Sequence, residues 1–237
     1  MKTLEKRTVG QIVAEDYRTA QIFRNFKLDF CCGGNKTIDE ACNKKGINPS
    51  EVKRALEELG KEGAEQDNYN NWSLDFLTDY IINNHHQFTR SKLPEIGFYA
   101  KKVAKVHGDR HSELKEIHKE FEKLSAELIS HMDKEEKLLF PFIKKLVAGG
   151  MNEADKFKFG SASDPIAMME EEHDEAGASM SKIRELSDDF TPPEDACATY
   201  HVLFENLEGF EKDLHKHVHL ENNILFPKSL KLERQMN

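Results

Sequence analysis

Two eleven-residue segments of this chain carry the same five residues at the same offsets. HMDKEEKLLFP (131–141) and HVHLENNILFP (217–227) share the pattern His-x3-Glu-x3-Leu-Phe-Pro, 86 residues apart. Histidine offers a neutral nitrogen ligand and glutamate a charged oxygen ligand, so each pair is suited to holding a cation such as iron or manganese. On a helix a spacing of four puts both side chains on one face, about 6 Å apart along the axis. His86 and His173 stand in nearly the same relation, 87 residues apart. A duplicated helical hairpin accounts for both separations.

Four long helices are predicted to carry these groups, over about 73–107, 112–148, 164–187 and 194–226. The breaks between them are Gly108-Asp109, Gly149-Gly150 with the polar loop after it, and Thr191-Pro192-Pro193-Glu194. Pro94 is expected to kink or split the first helix. On the second, Leu124, Leu128, His131, Glu135, Leu138 and Phe142 recur at steps of four and three, one core-facing stripe. Leu203, Leu207, Phe210, Leu214, His217, Glu221 and Ile224 repeat it on the fourth. His173 sits in a stripe of Ile166, Met169, Ala176, Met180 and Ile183. His86 falls in one of Ile82, Leu93, Ile96, Ala100 and Val103, although the parallel stripe of Ile81 and Phe88 leaves a slip to His85 open. No segment alternates as a strand would, so the predicted class is all-α, an up-down-up-down four-helix bundle.

A carboxylate alone in an apolar seam is strongly destabilising, and two such His-Glu pairs call for a shared counter-charge. Helix register allows them to share one. In an antiparallel hairpin, residues at equal distance from the turn lie at one height. The position half-way between His86 and His131 falls between Gly108 and Asp109; the corresponding positions for His131 with His173, and His173 with His217, are Asn152 and Asp195. All four histidines are therefore expected at one level, with Glu135 and Glu221 a turn away. Two histidines per ion and two bridging glutamates suit a pair of metals, with an oxide or hydroxide bridge and one open position on each. Mixed nitrogen and oxygen ligation favours iron or manganese over a structural zinc. His107 lies on the same stripe as His86 but about 31 Å further along a continuous helix, and is read as a turn residue.

Residues 1–60 read as a small helical module, 61–71 as a polar linker and 72–237 as the bundle. In the module, Thr8 caps a helix running through Ile12, Val13, Tyr17, Ile22 and Phe23; Thr37 and Glu40 form a capping box, and Ser50 caps a third helix. Between the first two lies DFCCGGN, where Cys31 and Cys32 are either a buried structural pair or a reactive, metal-relaying pair with a lowered thiol pKa on a mobile glycine-rich loop. The 237 residues carry a formal charge of −9, which excludes nucleic acid as the default partner. No apolar run is long enough for a membrane span, and the first sixteen residues lack the apolar core of a signal peptide. Four cysteines, two of them adjacent, form no disulfide framework, so a reducing cytoplasm is expected.

His86, His131 with Glu135, His173, and His217 with Glu221 resemble the ligands of a hemerythrin-like di-iron bundle. The chain is similar over nearly its full length to the bacterial iron–sulfur cluster repair family. That family carries an adjacent-cysteine motif, matched here by DFCCGG (29–34), and segments similar to HMDKEE (131–136), MEEEHDEAG (169–177) and HLENNILFP (219–227). The resemblance implies a cytoplasmic protein, induced by nitric oxide or oxidative stress, that restores damaged clusters and leaves room for a homodimer. It implies two non-haem irons with an oxo or hydroxo bridge, damaged iron–sulfur proteins as partners, and nitric oxide or oxygen as small ligand. Iron donation and nitric oxide reduction both stay open, as do a nitric oxide reductase or oxidase that gives up no iron, and a sensor of oxygen, nitric oxide or iron. Oxygen-carrying hemerythrins use a fifth histidine, and the four matched here argue against simple oxygen carriage.

Overall fold

The structure, a computed structural model, describes residues 6–59, 68–149 and 161–236. Most of the expected linker and of the loop after Gly149 lies outside these residues. Among the described residues the chain is helical, with a single isolated bridge between Thr8 and Thr37 and no strand. No described helix is long and apolar enough to cross a membrane. The helices are α1 (Val9–Glu15), α2 (Thr19–Asn25), α3 (Ile38–Lys45), α4 (Pro49–Leu59), α5 (Leu74–Tyr80), α6 (Gln87–His107), α7 (Glu113–Lys134), α8 (Phe140–Val147), α9 (Ser163–Leu186), α10 (Ala198–Leu220) and α11 (Phe226–Met236). Three π-helical turns interrupt the series, at Ile81–His86, Glu135–Leu139 and Glu221–Leu225. By its contacts the chain divides into 1–77 with 216–237, and 78–215. The division falls inside α5 and α10 rather than at residues 60 and 71.

In the first unit, local chemistry dictates the start of each short helix. The Thr8 hydroxyl accepts from Gln11 N while the Gln11 amide oxygen accepts from Thr8 N, and Thr37 and Glu40 form the same reciprocal pair. Gly46, at φ 67°, closes α3 in a left-handed conformation that a side chain would resist. The single helix expected through residues 12–23 is two. Asp16 ends α1, and its carboxylate accepts from Arg18 N while its carbonyl accepts from the Thr19 hydroxyl. Such local bonds compete with helix continuation. α4 starts at Pro49, with Asn48 accepting from Ser50 N, so Ser50 is not its cap. Tyr69–Asn71, assigned to the linker, is a 3-10 turn with Tyr69 buried.

The second unit is built on α6, α7, α9 and the first eighteen residues of α10. Leu93, Ile96, Ala100 and Val103 of α6 share a core with Ile117, Phe121 and Leu124 of α7, Met180 and Ile183 of α9, and Leu203, Leu207 and Phe210 of α10. α6 continues through Pro94 without a break, so the proline does not split the helix. The irregularity lies upstream, in the π turn at 81–86. α10 starts at Ala198, later than expected, because 187–197 forms a tight connection in which Asp188, Asp189 and Phe190 all have positive φ. The buried Phe190 ring lies under the Arg184 guanidinium, 4.7 Å away.

Each π turn shifts helical phase by one residue, because residues five apart come to share a face. The stripe of the first long helix therefore steps from Ile81 to His86, and Ile82 is only half-buried. Leu139 occupies the core position expected for Leu138, which is 50% exposed. Pro141 and Pro227 each lie two residues beyond a π turn. A proline lacks the N–H for a regular helical bond and crowds the carbonyl four residues back, so a wider turn before it relieves both problems.

Candidate metal centre

In the second unit three imidazoles surround one carboxylate. His86 enters from the end of the first π turn, His131 and Glu135 from the junction of α7 with the second, and His173 from the middle of α9. All four are buried, Glu135 completely. Glu135 Oε2 lies 3.3 Å from Nε2 of both His86 and His131, and His173 Nε2 lies 3.0 Å from His131 Nε2. His131, Glu135 and His173 thus offer ligand atoms within 4.8 Å of one another.

The far sides of two rings determine what the near sides can do. His86 Nδ1 lies 2.8 Å from Glu136 Oε1, and His131 Nδ1 lies 2.9 Å from Glu172 Oε2. A carboxylate there takes the ring proton at Nδ1, leaving Nε2 as a lone pair aimed inward, the arrangement of carboxylate–histidine–metal sites. The carboxylates are themselves held. Arg90 bonds Glu136 at 3.3 Å and Asp133 at 2.7 Å, and Lys134 bonds Glu172. Burial alone would raise the Glu172 carboxyl, but Lys134 and His131 outweigh it and hold it below the usual range. Inward lone pairs converging on a fully buried carboxylate form a donor set that a cation fits and another hydrogen-bond donor would not complete.

His86 and His85 take different roles. Whereas His86 faces Glu135, His85 Nδ1 lies 3.0 Å from Asp213 Oδ1. Both are buried, which explains why simple periodicity left the choice open. His107 stands at the far end of α6, beside Cys197 and outside the cluster.

The first unit holds the other His-Glu pair. His217 Nε2 lies 3.1 Å from Glu221 Oε1, and both side chains are buried. Next to them the adjacent-cysteine loop packs on the third π turn. Asn223 Nδ2 donates to the carbonyls of Phe30 and Cys31 at 3.3 and 3.2 Å. Gly10 and Gly34 leave the room this needs, since a Cβ at either would lie within 2.6 Å of Asn223 Oδ1. His219 is completely buried between the Tyr17 and Phe30 rings, and burial pushes its pKa down to about 3.

The cysteine loop is itself well bonded. The Asp29 carboxylate accepts from the backbone N–H groups of Cys31, Cys32 and Gly33 at 2.8–3.1 Å, and the Cys31 thiol donates to Asp29 Oδ1 at 3.2 Å. Of the two readings left open for the pair, the lowered thiol pKa of the reactive one is not found at Cys31, which is buried. Its hydrogen bond with Cys32, its burial and the Asp29 charge all push it well up.

Sequence reasoning missed Glu136 and Glu172 as partners of the histidines. Glu172 immediately precedes His173 and faces His131 on the neighbouring helix. An acid beside one ligand and opposite another was the signal.

Comparison with known proteins identifies the family. A family model described as the hemerythrin HHE cation binding domain matches residues 77–229, and one described as a domain of unknown function, DUF542, matches 5–60. The chain is 36% identical over 226 residues to the iron-sulfur cluster repair protein YtfE of Pectobacterium atrosepticum, covering 95% of this chain and 97% of that one. It is 39% identical over 212 residues to a probable iron-sulfur cluster repair protein of Haemophilus influenzae, covering 89% and 90%. The protein YtfE of Musicola paradisiaca is 35% identical over 228 residues, covering 96% and 98%.

Proposed function

Because this chain belongs to the iron–sulfur cluster repair family with a hemerythrin-like cation-binding domain, we propose that it repairs damaged clusters from a pair of non-haem irons. The ligands of that pair would be His86, His131, Glu135, His173, His217 and Glu221, with the two glutamates bridging. The observation that carries the reading is the convergence of His86, His131 and Glu135. Two Nδ1–carboxylate contacts turn two Nε2 lone pairs onto one buried carboxylate. The second pair is supported by register, since α10 runs unbroken from core positions Phe210 and Leu214 to His217, and Glu221 follows at the next step.

Irons held there, with an oxo or hydroxo bridge, would supply either ions for a damaged cluster or electrons for reduction of nitric oxide. The chain's own residues do the holding. Glu136 and Glu172 keep protons at Nδ1 so that Nε2 stays available, while Arg90 and Lys134 keep those carboxylates charged and in place. Cys31 and Cys32, beside the His217–Glu221 segment through Asn223, would serve delivery to an iron–sulfur client in a reducing, cytoplasmic setting.

Metal analysis and a spectrum diagnostic of a bridged iron pair test the centre; near-zero iron or stoichiometric zinc rejects it. Supplying protein loaded with labelled iron to a nitric-oxide-damaged cluster enzyme tests the activity. Recovery with transfer of label supports donation, and recovery with label retained supports nitric oxide chemistry. Failure to recover the client favours a sensor.

A further inference from the structure

At the opposite end of α6 from the candidate metal centre, His107 Nε2 lies 3.2 Å from the sulfur of Cys197. His107 is only 5% exposed, whereas Cys197 is exposed. The two come together because α6 ends at His107 and α10 begins immediately after Cys197. The Cys197 carbonyl accepts from Tyr200 N at 2.9 Å and His201 N at 3.2 Å, so Cys197 opens the first turn of a 23-residue helix. That end presents unbonded N–H groups and the positive pole of the helix dipole, which favour negative charge on a group placed there. The Tyr200 ring, 5.5 Å from that of His107, walls the imidazole. Its Nδ1 is buried without a hydrogen-bond partner among the described residues. Nε2 is therefore the nitrogen through which the ring exchanges a proton, and the sulfur is in front of it.

We propose that Cys197 is a nucleophilic modification site for small disulfides, with His107 as its proton acceptor. In the reaction the Cys197 sulfur attacks one sulfur of a disulfide R–S–S–R. The thiol proton passes to His107 Nε2, a new S–S bond forms as the old one breaks, and the departing RS⁻ takes the proton from Nε2. The products are the Cys197–S–S–R mixed disulfide and RSH, with no electron left over. No other cysteine offers this combination. Cys42 is completely buried and its pKa raised by that burial and by Asp39, Cys31 is buried and pushed up, and Cys32 lies half-buried in the Asp29 loop. Along a helix rising 1.5 Å per residue, His107 is about 31 Å from His86, so modification here leaves the metal ligands untouched.

The test treats the full-length, metal-loaded protein with 2-hydroxyethyl disulfide and follows each cysteine by peptide mass mapping. Cys197 is expected to react first among the four cysteines, about tenfold faster than N-acetylcysteine under the same conditions, because a proton acceptor stands beside its sulfur. A rate equal to that of N-acetylcysteine, or first reaction at another cysteine, overturns the proposal without any variant. In His107→Gln, with iron content and helical circular dichroism preserved, the Cys197 rate should fall about tenfold. An unchanged rate in that folded variant equally overturns it.

Discussion

The two His-x3-Glu-x3-Leu-Phe-Pro segments share their five pattern residues but differ in almost everything between them. In the first, Asp133 pairs with both Lys137 and Arg90 at the surface, and Leu138 is half exposed. In the second, the equivalent positions are His219, Asn223 and Ile224. His219 and Ile224 are completely buried, and Asn223 bonds the cysteine loop. The shared residues include the candidate ligands and the proline that follows each π turn. The unshared residues answer what covers each segment: solvent and ionic contacts for one, the N-terminal module for the other. A repeat thus separates what the metal chemistry needs from what the neighbourhood needs.

The largest expected effect tests the shared part. Glu135→Ala and Glu221→Ala should each lose at least one iron of about two per chain, because each removes a proposed bridging carboxylate from a mixed nitrogen and oxygen site. Metal analysis of purified variants checks this. Full retention by one variant and loss by the other would show that the segments are not equivalent at their glutamates.

The next test separates the surroundings. Ile224→Ala should destabilise the protein by about 2–4 kcal/mol, since it opens a cavity at a completely buried position. Leu138→Ala, at the same offset in the first segment, should stay within about 0.5 kcal/mol of the parent. Denaturant unfolding of the full chain measures both, and equal losses would erase the contrast.

Much of this was legible before any coordinates, because ligand type, spacing and repeat are properties of single residues. The bundle, its turns and the His-Glu pairs follow from helical periodicity and from Gly and Pro at the breaks. What failed was phase. Periodicity assumes a constant turn, so it chose Leu138 over Leu139 and placed Ile82 rather than Ile81 in the stripe with His86. The proline at Pro141 signalled irregularity without saying that a π turn would absorb it. Burial of His219 and the raised thiol of Cys31 were illegible for another reason. The first depends on packing against Tyr17 and Phe30, far away in sequence, and the second on a thiol hydrogen bond with the adjacent Cys32 and on burial that the folded loop creates. The break at Asp16 was local but turned on a side-chain bond that competes with the helix.

A finer test addresses the first segment alone, where Glu172 holds the Nδ1 proton of His131. Glu172→Gln should weaken metal retention by about 10–100-fold, as loss of a carboxylate behind a ligating histidine does. Competition with a chelator measures it. Unchanged retention would mean that Glu172 only pairs with Lys134, and the asymmetry between the segments would then lie in packing alone.

Glu120 provides the calibration, being a carboxylate of the same bundle that touches no candidate ligand. It accepts from the Ser179 hydroxyl and from Lys182 Nζ, both at 2.8 Å, and the Lys182 bond is the main reason its carboxyl sits below the usual range. A depressed carboxylate contributes stability above its unfolded pKa, near 4.3, and that contribution is lost as pH falls through the folded value. Glu120→Gln should therefore lower Tm slightly at pH 7, by the equivalent of about 0.3–1 kcal/mol for a contact open to solvent on the Lys182 side. The difference from the parent should shrink as pH falls below about 4.3. Iron content should not change. If Glu120→Gln lowered metal retention as Glu172→Gln is expected to, the effect of the latter would reflect general loosening of the bundle, and the separation of ligand support from ordinary ionic packing would fail.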